Sequence, residues 1–69
     1  MKIKFSKQVT VDFLDHRADE HGVDKTFYHN QIVEVDRIEE TVRGFVDLIF
    51  DNGDAAVGIN KQFIQIIEA

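Results

Sequence analysis

Apolar residues recur along most of this chain at every second position, the period of a half-buried strand rather than of a helix. The clearest case is GFVDLIFDNGDAAVGIN, Gly44 to Asn60, in which two alternating runs flank Asn52-Gly53. That dipeptide predicts a two-residue type I′ turn, whose central positions both need φ > 0. The register that follows sets Asp51 opposite Asp54, Phe50 opposite Ala55, Leu48 opposite Val57 and Val46 opposite Ile59. One face of the hairpin is then wholly apolar, while Asp47 and the turn aspartates lie on the other.

Before the hairpin, Ile3, Phe5, Val9, Val11 and Phe13 hold odd positions, which predicts one strand or two short strands broken near Ser6-Lys7. Leu14 ends the alternation at a bulge or a strand exit. The charged stretch Asp15 to Lys25, DHRADEHGVDK, reads as a surface loop closed by Gly22. Phe27 opens a second β-rich run with a tight turn at His29-Asn30. There Val33 and Val35 face inward and Glu34 and Asp36 outward, while Ile32 and Ile38 are out of phase and imply strong twist or a bulge. Glu39 to Arg43 connects this run to the hairpin. After Asn60, a single helical turn at NKQ precedes a last strand, FIQII. The expectation is one all-β domain over residues 1–69: a five-stranded, strongly twisted antiparallel barrel, closed or nearly so, with one short helical turn before the last strand.

Composition narrows the chemistry. The 69 residues include no cysteine and no proline, so neither disulfides nor thiolate metal sites are available. A chain this short relies on its core, to which 43% apolar residues and six Phe contribute, or on association with further copies of itself. The net charge of −5 opposes direct contact with a phosphate backbone and favours a protein partner with a neutral or basic surface. No run has the length of a membrane span and MKIKFSK lacks a signal-peptide core. A cytoplasmic location is therefore expected, and Met1 to Ala69 reads as a complete short open reading frame.

The order of parts resembles a Src-homology-three barrel over nearly the whole chain. DFLDH at Asp12 to His16 is similar to the family's ALYDY-type segment. DKTFYHNQIVEV at Asp24 to Val35 resembles its Phe, turn and alternating apolar run, and GINKQFIQII at Gly58 to Ile67 its helical turn and last strand. The resemblance implies the fold and a peptide groove whose places fall here on Leu14, His16, Phe45, Asn60 and Phe63. It also implies that Asp19, Glu20 and Asp24 pair with a basic residue of the ligand. The sequence departs from the family where polyproline recognition needs flat aromatic walls: it has no Trp and one Tyr, and the family's Gly falls one step later, at Gly58.

Other constellations are weaker. Asp15, His16, Asp19, Glu20 and His21 offer a divalent-metal reading, but their spacing matches no ligand code and a solvated loop explains them. DNGD at Asp51 to Asp54 lacks the further oxygens of a calcium loop. Ser6 has no acid–His arrangement near it, so no catalytic residue, cofactor or metal is assigned. Phe45, Ile49 and Ala56, outward on the hairpin beside Phe63, form an apolar patch suited to a partner or to self-association. The expected function is a non-enzymatic module that binds an extended basic and apolar segment of another protein. The alternatives are an acidic phage-type inhibitor that mimics nucleic acid through Glu34, Asp36, Glu39, Glu40, Asp47, Asp51 and Asp54, or a structural subunit of an assembly.

Overall fold

Period-two alternation becomes strand throughout the computed structural model, which describes residues 1–16 and 22–69. In chain order the strands are β1 (Lys2–Phe5), β2 (Val9–Leu14), β3 (Val23–Phe27), β4 (Ile32–Glu34), β5 (Arg37–Val42), β6 (Phe45–Ile49), β7 (Ala55–Asn60) and β8 (Ile64–Glu68). They form two antiparallel sheets, β4-β1-β8 and β3-β2-β7-β6-β5. The all-β expectation holds, but the five-stranded closed barrel does not: the strands lie in separate sheets of three and five, and these do not close.

The first run does divide, at a bend over Ser6 and Lys7. Two further corrections concern edges. The strand Val23–Phe27, whose residues Val23 to Lys25 fall in the stretch expected to be a charged loop, pairs residue for residue with β2, from Val9–Phe27 to Phe13–Val23. Arg37–Val42, read mostly as a connector, pairs with β6. Both strands end the larger sheet, where solvent-facing charge is compatible with strand and blunts the open edge. Of the two out-of-phase residues, Ile32 lies exposed on the outer face of β4 (54%), while Ile38 is turned inward by a corner. The amide of Val35 donates to the Met1 carbonyl in the smaller sheet (2.9 Å), and the next amide, Asp36, donates to Ile49 in the larger one (2.8 Å). A bend between sheets of this kind resets the face on which alternate residues lie.

The central hairpin differs from expectation at its tip. The amide of Gly53 donates to Phe50 O (2.9 Å) and that of Phe50 to Asp54 O (2.8 Å). Only Gly53 of the loop has positive φ, +93°. The connection is thus a three-residue loop with a glycine bulge rather than a two-residue turn. Asn52 keeps negative φ and closes the loop with its side chain, Oδ1 accepting from the Asp54 amide at 3.0 Å. The register moves by one accordingly: Ile49 opposes Ala55 and Leu48 opposes Ala56, not Val57. A second bulge then restores the predicted pairing of Val46 with Ile59. It sits at Gly58, φ +74°, whose amide donates to Asp47 Oδ1 at 3.1 Å.

Between the sheets lie Ile3 and Phe5 from β1, Phe27, Val46, Leu48, Ala56 and Ile59 from the larger sheet, and Val35 at the corner. Phe5 and Phe27 stack with centroids 4.6 Å apart, joining the two layers. Each large buried side chain contributes about 1.5–3 kcal/mol by leaving water. Among the described residues no polar side chain is buried. The helical turn is present as a 3-10 turn, Lys61–Phe63, capped by Asn60, whose Oδ1 accepts from the Gln62 amide at 3.0 Å.

Candidate functional site

The solvent face of the larger sheet is built by the same alternation that fills the core. On β2 the inward residues Val9, Val11 and Phe13 are half-buried, so Thr10, Asp12 and Leu14 point outward and are exposed. Cross-strand partners share a face, which adds Thr26 and Asp24 from β3 and Val57 from β7. Phe45, 43% exposed, and Asp47 extend this face on β6. Glu39 of β5 lies opposite Asp47.

Where β2, β6 and β7 meet the 3-10 turn, a slot of about 360 Å³ opens. Phe45, Phe63, Asn60, Thr10 and Gly58 are among its lining residues. Its position follows from the chain: Asn60 ends β7 opposite Phe45, and as the cap of the 3-10 turn it directs Phe63 back toward the sheet. The Lys7 Nζ lies 4.7 Å from the Phe63 ring centroid, a cation–π contact at the slot's edge.

Carboxylates follow further along two of the strands that line the slot. Asp12 is two residues from Thr10 and Asp47 two from Phe45, about 7 Å along each strand on the same face. The register pairs Asp24 with Asp12, Asp12 with Val57, and Asp47 with Glu39, two groups on one face that the bulge at Gly58 separates. Glu39 is neutralised by Arg37 (Nε–Oε1 2.9 Å), which also reaches Asp36. Among the described residues Asp12 and Asp24 have no ion-pair partner, although they stand directly opposite each other and repel.

The structure therefore brings Phe45, Asn60 and Phe63 into one slot and sets Asp24 in the row beside it. Leu14, 41% exposed, lies further along the same face, opposite Ala55. His16 is elsewhere, at the tip of the central hairpin. Asp19 and Glu20 lie outside the described residues. Of the expected apolar patch, Phe45 and Ile49 remain, but Ala56 is fully buried because the shifted register turns it into the core. Thr10, Asp12 and Gly58 were missed as site residues. The outward phase of Thr10 and Asp12 was readable, but the β2–β7 pairing that brings them to Phe45 joins positions more than 40 residues apart.

His16 is held by Asp54. Its amide donates to Asp54 Oδ1 at 2.9 Å, and its Nδ1 lies 2.6 Å from the same oxygen. These bonds, the amide first, hold the Asp54 carboxyl at about 2, below its ordinary 3.8. An ionised carboxylate only accepts, so Nδ1 carries the proton. Donor atoms of Asp15, His16 and Asp54 fall within 4.8 Å of one another. Turn chemistry accounts for Asp54, which also accepts from Asn52 Nδ2 at 3.1 Å. Glu40 is likewise lowered, by the Gly44 amide and then by Lys61.

No family model matches the chain, and the comparisons found no similar curated protein and no similar solved structure. Among the described residues no helix is long and apolar enough to cross a membrane.

Proposed function

We propose that this chain is a non-enzymatic, Src-homology-three-like interaction module that binds an extended basic and apolar segment of another protein. The observation that carries the reading is the convergence of Phe45, Asn60 and Phe63 on one slot, with Asp12 and Asp47 two residues along the strands from its Thr10 and Phe45 and Asp24 opposite Asp12. An extended ligand advances about 3.3 Å per residue. A segment with an apolar side chain between the two phenylalanines therefore brings a basic residue, two positions on, over the unneutralised pair Asp12 and Asp24. Lys7 at the Phe63 end gives the slot an opposite charge there, which fixes the ligand's direction.

Support for a binding rather than a catalytic role comes from His16: among the described residues it is the one imidazole in contact with carboxylates, and Asp54 occupies it. The mimicry reading is weakened by the fate of its seven acids. Asp36 and Glu39 pair with Arg37, Glu40 with Lys61, and Asp54 with His16, while Glu34 belongs to the other sheet.

The test is an NMR titration with a short Arg- and Leu-containing peptide and its counterpart with Glu in place of Arg. Shifts should gather at Thr10, Asp12, Asp24, Phe45, Asn60 and Phe63 with the first peptide, weaken with added salt, and vanish in Phe45→Ala. Equal binding of the Glu peptide, or shifts centred on β1, β4 and β8, would overturn the assignment.

A further inference from the structure

β2 and β7 are paired over only half their length. Their ladder runs from Leu14–Ala55 to Asp12–Val57 and stops, although β2 extends back through Val11, Thr10 and Val9, and β7 on through Gly58, Ile59 and Asn60. The cause is the glycine bulge. A bulge bends its strand and sharpens the twist, and the Gly58 amide is given to Asp47 Oδ1 at 3.1 Å rather than to a neighbouring backbone. Beyond it β7 stays with β6, Ile59 opposite Val46 and Asn60 opposite Phe45, and leaves β2 behind.

The slot beside Phe45 and Phe63 is this parting. Its lining includes the outward Thr10 and Phe45 and also Val9, Val11 and Ile59 of the inward phase. A hollow resting on an unbroken sheet would touch one phase only, because alternate residues face opposite ways. The slot therefore reaches between the strands and meets their backbones. On its β2 side, Val9 to Val11 are held by β3 alone. Peptide groups of a strand point alternately to its two neighbours, so those directed at β7 lack a ladder partner. Among the described residues no turn or loop backbone group bonds to them either. Backbone groups left this way take a partner from outside the sheet.

We propose, building on the peptide-binding reading above, that the partner segment enters this parting as a strand and bonds through its own backbone to the free side of β2. The ligand class is then an extended peptide with free N–H groups over three residues, the length of β2 that β7 leaves unpaired. Charge selects the occupant and places it. The parting closes at Asp12, which faces Asp24 across β3, and among the described residues neither has an ion-pair partner. It opens toward Phe63 and Lys7. A segment with Arg or Lys at the closed end and an apolar side chain between Phe45 and Phe63 satisfies both ends, and the net charge of −5 attracts it. A proline-rich segment does not fit: each proline lacks the N–H that a ladder uses, and the polyproline helix repeats every three residues instead of two.

Backbone N-methylation tests the strand without altering a side chain. The Arg- and Leu-containing peptide is compared with versions N-methylated, one at a time, at the leucine and at the residue on each side, and with a version carrying proline on both sides of the leucine. Methylation removes a donor and adds bulk at the ladder, so at one or more of these positions affinity should fall at least about tenfold. The proline version should fall likewise. In the free protein at least one amide among Val9, Thr10 and Val11 should exchange faster than that of Phe13, which is paired on both sides, and it should become protected when the parent peptide binds. Equal affinity of the parent, methylated and proline peptides at the slot would overturn strand entry and leave the peptide-binding reading intact. Failure of the parent peptide itself to bind would overturn both.

Discussion

Two neighbouring rows cross the five-stranded sheet one residue apart, and they have opposite chemistry. The inner row is Phe13, Ala56, Leu48 and Ile38, running out at the exposed Val23; the outer is Asp24, Asp12 and Val57 and, across the bulge at Gly58, Asp47 and Glu39. Alternation assigns one to the core and the other to water, but it does not require that the outer row be so uniformly acidic. Threonine or glutamine would serve an exposed strand equally well and would spare Asp12 and Asp24 their mutual repulsion. The inner row states what holds the sheet together, and the outer row what the sheet presents.

Substitutions should separate the two. The largest effect belongs to the inner row: Leu48→Ala, at a fully buried position, should cost about 2–5 kcal/mol in urea unfolding. Next comes the bulge that keeps the rows aligned past the hairpin. Gly58 has φ +74° and an added Cβ would meet nothing within 4 Å, so Gly58→Ala should cost only the left-handed backbone penalty, about 1–2 kcal/mol. In the outer row the sign reverses. Asp12→Asn together with Asp24→Asn should leave stability unchanged or raise it by up to about 1 kcal/mol. The same pair should weaken binding of the Arg peptide and flatten its salt dependence, and undiminished binding would remove the row from the site.

The smallest effect is at the hairpin tip. Because the Asp54 carboxyl is held at about 2 rather than 3.8, its contribution is complete above the ordinary value and is lost as pH falls from there toward 2. Melting temperature should therefore decline over that interval, and less steeply in Asp54→Ala; parallel curves would show that the His16 contacts carry no stability.

Much of the core could be read in the sequence because burial writes directly into alternation: Ile3, Phe5, Val46, Leu48 and Ile59 are where the pattern puts them. Val57 and Ala56 exchanged places because Asn-Gly admits more than one loop. One extra residue in that loop inverts the face, and the sequence does not mark where the inversion is undone except by Gly58. The edges β3 and β5 were obscured for a different reason: strands with one wet side carry the charges that also mark loops. Of the candidate site, Phe45, Asn60 and Phe63 were accessible through the Src-homology-three resemblance. Thr10 and Asp12 were not, since no local signal records that β2 lies beside β7.

The corner at Val35 and Asp36 governs how this protein comes apart. Adjacent amides there are committed to different layers, one to Met1 and the other to Ile49. Neither layer can peel away while those two amides keep their bonds, and both layers share one core, so heat should dismantle the two in a single step, without a half-folded remnant.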